Sequence, residues 1–353
     1  MTSDTVTVGV VANPASGRDI RRLVAQASVF PTAEKANMVQ RLLTAFASVG
    51  VTRALLSTDL GGISAAVLRA LRGRRPGRDG GWPDVVFCDD DAITGTARDT
   101  TNAVRRMVAD GARLIVCLGG DGTARVAAAA CGDVPLLALS TGTNNAFPRM
   151  REATVAGLAG GLVATGAVAA ETGTRRATVL HAGVADRGET ALVDVCASRS
   201  RHIGSRALWH PETITELFCT FAEPDGIGLS SVAGQLCPSP RDEPEGVALT
   251  LAPPEHARWV VHAPIAPGLV VPVGVDAWRP LPVGEPVEIG LRGGVIAVDG
   301  ERELELTGTE TATVRLCAEG PRCVDVSAVL AEASANGLLR TENQVAQRKE
   351  RQR

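Results

Sequence analysis

Apolar residues in the first 150 positions fall into short runs separated by stretches of helical period. Val6–Ala12 (VTVGVVA), Arg53–Ser57, Asp84–Cys88, Arg113–Leu118 and Pro135–Ser140 are continuous and apolar enough to be strands buried on both faces. Glu34–Ala47, Ile63–Leu71, Thr100–Ala109 and Ala124–Ala130 place their apolar residues three and four apart, as helices do. Strand and helix in alternation predict a parallel sheet with helices on its faces. The Gly-, Pro- and Arg-rich stretch Arg72–Asp84 reads as a surface loop.

A helix over Arg151–Ala164 is expected to bridge the two halves. The pattern then changes to strand-like runs such as ATVLHAGVA, TALVDVCAS, GVALTLA, RWVVHAPI, EPVEIGLRGGVIAVDG, RELELT and ATVRLCA, separated by Gly, Pro and Asp turns. Only Pro211–Cys219 keeps a helical period there. The expected organisation is an α/β domain over 1–150 and an antiparallel β sandwich over 151–324. A C-terminal helix from Asp325 is expected to return to the first domain, with a polar frayed tail completing 325–353.

Length agrees with two domains, since 353 residues exceed the usual size of one hydrophobic core. The net charge of -3 argues against a nucleic-acid partner, which calls for a basic surplus. No run is apolar and long enough to span a bilayer, and the N-terminus lacks a basic segment followed by an apolar core, so the expectation is cytoplasmic. Whether the chain forms a homo-oligomer is open. Eight cysteines sit singly, mostly in strand-like runs, which suits buried thiols better than a disulfide frame or zinc site. Lysine occurs only at Lys35 and Lys349, so a phosphate site here must use backbone amides and arginine in place of a P-loop lysine.

Three loops follow predicted strands, where open parallel sheets bind ligands. Asn13-Pro14-Ala15-Ser16-Gly17-Arg18 offers amides, a hydroxyl and a guanidinium to phosphate oxygens, or it is a plain Asn-Pro turn. Gly119-Gly120-Asp121-Gly122-Thr123 lets phosphate approach the backbone at the start of a helix. An aspartate beside phosphate needs a metal ion or a hydroxyl facing it, which makes Asp121 the candidate catalytic acid; as a plain turn it would be an N-cap. Ser140-Thr141-Gly142-Thr143-Asn144-Asn145 offers neutral donors and acceptors suited to a nucleotide.

These motifs together resemble the NAD kinase and diacylglycerol kinase superfamily. Within it, NPASGRDIRRLVAQASVFPTAEKANMVQRLL and STGTNNAFPRMREATVAGLAGGLVATG resemble the AcoX group, NAD-kinase-like proteins linked to acetoin catabolism. The resemblance runs from about Val8 to about Leu330 and implies a Rossmann-like α/β domain, an all-β sandwich domain and an active site in the cleft between them. It implies that Asp121 is the catalytic or metal-organising acid, and that Asn13, Ser16, Gly17, Arg18, Gly119, Gly120, Gly122 and Thr123 hold donor phosphates. Thr141, Gly142, Thr143, Asn144 and Asn145 would bind nucleotide.

In the lipid-kinase branch a DGE motif from the β domain also reaches the site, which singles out Asp299 and Glu301 in Val298-Asp299-Gly300-Glu301. Asp-Gly is also the commonest hairpin turn. The Asn-Glu pair that grips adenosine in NAD kinases is not preserved: Val193-Asp194 stands there, and Asp194 either contacts a ribose or faces solvent. The function implied is an ATP-dependent kinase with Mg2+ accompanying ATP, acting on a hydroxyl of NAD(H) or a similar small molecule. A nucleotide sensor without catalysis and a lipid kinase are the alternatives. A Rossmann dehydrogenase fits less well, because NPASGR and not GxGxxG follows the first strand.

Overall fold

The computed structural model describes residues 5–17, 26, 30–74, 81–88, 92–142, 144–200 and 211–341. The expected calls on Arg18, Thr143 and the C-terminal tail lie outside these residues. The first unit contains β1 (Thr7–Ala12), α1 (Thr32–Ser48), β2 (Arg53–Ser57), α2 (Ile63–Gly73) and β3 (Asp84–Cys88). It continues through α3 (Ala97–Ala109), β4 (Ala112–Gly119), α4 (Asp121–Cys131), β5 (Leu136–Ser140), α5 (Ala153–Ala164), α6 (Ala170–Gly173) and β6 (Thr174–Arg176). The strands order as β3-β2-β1-β4-β5, all parallel, extended by a C-terminal strand and β6.

Both faces are covered, as the continuous apolar strands require. One core gathers Val8, Val10, Leu114, Val116 and Leu118 under α1, α2 and α5; the other gathers Val11, Leu55, Ile115 and Cys117 under α3 and α4. The small residues of α5 permit close packing. A Cβ on Gly157 would approach the Leu42 backbone of α1 to 3.3 Å. Strand order reverses at β1, between β2 and β4, so the loops leaving β1 and β4 flank the crevice where such sheets bind ligands.

The second unit is built from β7 (Val179–Val184), β8 (Arg187–Ala191), β9 (Asp194–Ser198), β10 (Ile214–Cys219), α7 (Ser230–Gly234), β11 (Glu245–Ala252), β12 (Trp259–Ala266) and β13 (Leu269–Pro282). It ends with β14 (Pro286–Ile289), β15 (Gly294–Val298), β16 (Glu301–Leu306) and β17 (Ala312–Cys317). A seven-stranded antiparallel sheet, β12-β13-β11-β10-β9-β15-β16, packs on a four-stranded one, β14-β17-β7-β8. Leu180, Val184, Val314 and Leu316 from the small sheet meet Val195, Phe218, Ile296 and Val298 from the large one. The chain then returns. β18 (Arg322–Val324) pairs with β5 and β6, and α8 (Val326–Ala335) buries Val326, Val329 and Ala333 in the first core.

Two local readings change. Pro211–Cys219, expected as a helix, is a 3-10 turn at Pro211–Thr213 followed by β10, because Ile214, Leu217 and Cys219 are buried between β9 and β11 and tertiary pairing overrides the helical period. TALVDVCAS is split into β8 and β9, since the amides of Leu192, Val193 and Asp194 leave the ladder for the Asp299 carboxylate. The long strand β13 carries Pro272, Pro280 and Pro282, residues that argue against a ladder strand, yet it pairs with both β11 and β12. Among the described residues no helix is long and apolar enough to cross a membrane.

Candidate functional site

The three loops singled out in the sequence interlock. Asn13 Nδ2 donates to Thr123 Oγ1 at 2.9 Å, joining the first loop to the second. Ser16 and Thr141 share a hydroxyl–hydroxyl hydrogen bond of 2.8 Å, joining the first to the third. The Thr141 amide donates to Gly119 O at 2.9 Å, which ties the second to the third. Gly17 sits at φ +78°, and a Cβ there would stand 3.1 Å from the Thr141 carbonyl, so only glycine lets these loops meet.

The helix that follows the second loop begins at Asp121 itself, with Gly120 as its N-cap, earlier than the Ala124 start expected from sequence. Asp121 therefore stands in the first turn of α4, where the helix field favours a carboxylate. Its Oδ1 accepts from the Phe147 amide at 2.8 Å, and both oxygens accept from the Ala146 amide at 3.1 Å. Asn145 braces the third loop from within: its oxygen accepts from Gly142 N at 2.9 Å and Ser140 Oγ at 2.7 Å, in the orientation that satisfies every neighbour. Asn144 instead lines the cleft. Its Nδ2 donates to Ile265 O at 2.9 Å, and its buried Oδ1 has no hydrogen-bond partner among the described residues.

The β unit closes the other side of the cleft. Asp299-Gly300 is the two-residue turn between β15 and β16, with φ of +50° and +73°, values suited to the type I′ turn that matches strand twist. The hairpin reading and the site reading of this motif coincide in one turn. Asp299 is buried and accepts from the amides of Leu192, Val193 (2.8 Å) and Asp194. Glu301 faces the second loop: a Cβ on Gly122 would lie 3.3 Å from its Oε1. Asp194 is buried too, and it lines the cleft together with Asp121, Asn144 and Asp299, so the solvent-facing alternative for it is overturned. The lining also carries apolar side chains: Val193, Ile227, Leu229, Ile265 and Leu269.

Burial pushes the Asp299 carboxyl up to about 8, with the charges of Asp194 and Asp121 acting in the same direction against Arg125. Arg125, one turn along α4 from Asp121, reaches four carboxylates of the β unit. It meets Glu303 at 2.7 Å, Glu189 at 3.5 Å, Asp299 at 3.7 Å and Glu301 at 3.8 Å.

Sequence reading missed Arg125, although its position four after Asp121 places it on the same side of the helix. It also missed Lys35, which is 1% exposed and donates to the carbonyls of Asn13 (3.0 Å), Pro14 (3.2 Å) and Ser16 (2.7 Å), fixing the first loop from α1. Lys35 thus holds loop carbonyls of the site. Arg241, also missed, lies behind Ala146 and Phe147 and has no local signal at all.

The eight cysteines are all free, and Cys117 is pushed up to about 12 chiefly by burial, an inert state. A family model for the ATP-NAD kinase N-terminal domain matches residues 8–167, and one for the acetoin catabolism protein X C-terminal domain matches residues 178–319. The parallel-sheet unit carries the first match and the antiparallel sheets carry the second. Acetoin catabolism protein X of Cupriavidus necator is 43% identical to this chain over 339 residues, covering 95% of this chain and 94% of the relative.

Proposed function

The chain belongs to the family of acetoin catabolism protein X, with a two-domain NAD kinase-like fold, and from that premise we propose that it is an ATP-dependent kinase acting on a hydroxyl of NAD(H) or a related small molecule. One observation carries this reading: Asp121 of the glycine-rich loop and Asp299 and Asp194 of the β unit line one cleft beside three interlocked loops. A site of that kind has amides for phosphate on one side and acids for a hydroxyl on the other.

In the reaction so proposed, the acceptor hydroxyl oxygen attacks the γ-phosphorus of ATP, the bond to the β-phosphate oxygen breaks, and ADP leaves. Asp121 orients the hydroxyl and receives its proton. A free aspartate, with a pKa of about 3.9, is a weak base, so positioning contributes more than basicity. Asn144, a cleft-lining residue whose side-chain oxygen has no hydrogen-bond partner among the described residues, would take a hydrogen bond from the nucleotide or the acceptor. The apolar side chains of the lining, from Val193 to Leu269, suit a flat ring or an alkyl portion.

Mg2+ accompanying ATP fits the cleft acids, which are the oxygen donors this ion accepts, and it would offset phosphate charge there. The ion would arrive with the nucleotide. The link to acetoin catabolism rests on the relative's name alone.

The test is mass-spectrometric detection of new phosphorylated species from purified protein, Mg–ATP and a pool of NAD, NADH, nucleosides and diacylglycerol. Diacylglycerol belongs in the pool because Asp299-Gly300-Glu301 borders the loop of Asp121. A phosphorylated acceptor supports the kinase reading and identifies its substrate. No product from protein that binds ATP would replace it with a nucleotide sensor.

A further inference from the structure

We propose that Arg241 is a positioning residue for Asp121, acting through the Ala146–Phe147 peptide. The inference rests on the kinase reading for its catalytic consequence. Its structural part stands on the geometry alone.

Arg241 lies on the side of this peptide away from the cleft. Its two terminal nitrogens donate to the carbonyls of Phe147 (3.1 Å) and Ala146 (3.0 Å). The Ala146 carbonyl and the Phe147 amide are the two ends of one peptide unit. In a trans peptide they point in opposite directions, and no peptide bond among the described residues is cis. On the cleft side that same Phe147 amide donates to Asp121 Oδ1 at 2.8 Å. Guanidinium, peptide and carboxylate thus form one hydrogen-bonded chain. A cation on the carbonyl end polarises the unit and strengthens the bond its N–H gives at the other end.

The cation is itself fixed from two directions. Glu223 accepts from Arg241 Nε at 2.9 Å and from a terminal nitrogen at 2.7 Å, a bidentate fork. The guanidinium carbon lies 4.2 Å from the centroid of the buried Phe221 ring. Arg149 also meets Glu223, at 3.1 Å. Burial raises the Glu223 carboxyl, and the hydrogen bond and charge of Arg241 outweigh it, leaving Glu223 below the usual range and ionised.

The two amides that hold Asp121 differ in one respect. The Phe147 N–H belongs to the peptide whose carbonyl Arg241 grips, whereas the Ala146 N–H belongs to the preceding peptide. Removing Arg241 should weaken the first bond and leave the second. A loosening of the whole segment would change both.

The experiment is an amide proton spectrum of the full chain labelled with 15N-phenylalanine and 15N-alanine. Only six phenylalanines contribute, so Phe147 can be assigned from a Phe147→Leu sample. In Arg241→Gln the Phe147 amide proton is expected to move upfield while that of Ala146 stays. Turnover should fall about tenfold to a hundredfold with donor KM changed far less, since a displaced reacting group costs chemistry more than binding. Arg241→Lys, which keeps the charge without the fork, should recover part of both effects. If Arg241→Gln does not fold, Glu223→Gln keeps the guanidinium and frees its orientation, giving a smaller shift in the same direction.

An unmoved Phe147 amide, or equal movement of both amides, overturns the proposal. A moved Phe147 amide in a protein whose wild type phosphorylates nothing retires the kinase reading and keeps the coupling.

Discussion

Asp121-Gly122 and Asp299-Gly300 are one dipeptide in two supports. Each aspartate takes amides from consecutive residues of a neighbouring segment: Ala146 and Phe147 for the first, Leu192 to Asp194 for the second. Asp121 does so at the N-terminus of α4, where the helix and the peptide backed by Arg241 favour negative charge. Asp299 does so in a buried hairpin turn beside Asp194, where burial and like charge hold its proton. Asp299 takes three amides to the two of Asp121 and still holds its proton. The lesson is that amide donors alone do not set protonation; the surrounding charge and water access decide it.

The comparison breaks first on activity. Asp121→Asn keeps the amide acceptor at Oδ1 and removes the charge, so turnover should fall about 10²- to 10⁴-fold with ATP binding and folding retained. Full activity in that variant, measured beside wild type, would assign the chemistry elsewhere.

Arg125→Met tests what joins the helix of Asp121 to the turn of Asp299. It leaves Glu303, Glu301, Asp299 and Glu189 facing each other without their shared cation, a loss of about 3–5 kcal/mol by analogy with other broken buried pairs. Denaturant unfolding should show it; a change under about 1 kcal/mol would mean solvent screens the cluster.

Asp299→Asn sharpens the comparison through pH. With the folded group at about 8 against an ordinary 3.8, the native state keeps a proton the unfolded chain has released. Stability from this group is therefore full below the unfolded value and declines as pH rises through that window. The Tm of wild type minus that of Asp299→Asn should fall between about pH 4 and pH 8. A constant difference would place Asp299 among ordinary ionised carboxylates.

Lys35→Met has the smallest expected effect. It leaves three loop carbonyls without their ammonium donor, costing about 1–3 kcal/mol and raising the donor KM with little change in kcat. Unchanged donor KM would confine Lys35 to stability.

Much of this was legible in the chain because local signals and tertiary structure agree in the first unit. The strand at Arg53–Ser57 and the strand at Asp84–Cys88 have the bounds the apolar runs predict. The glycine-rich loop announced Asp121 because glycines on both sides of an acid need a reason. In the β unit the signals conflict. Prolines hid β13, and TALVDVCAS concealed a break that exists only because a carboxylate 105 or more residues away in sequence draws its amides. Lys35 and Arg241 act through backbone carbonyls, contacts that leave no periodicity or spacing to read, whereas the helical spacing of Arg125 from Asp121 was legible and its partners across the cleft were not.

The most direct measurement is transfer from ATP labelled with 18O in its γ-phosphoryl group, run in parallel with wild type, Asp121→Asn and Asp299→Asn. The account predicts a phosphorylated acceptor carrying three labelled oxygens from wild type, less from Asp299→Asn, and almost none from Asp121→Asn. Equal product from wild type and Asp121→Asn, or loss confined to Asp299→Asn, would contradict it.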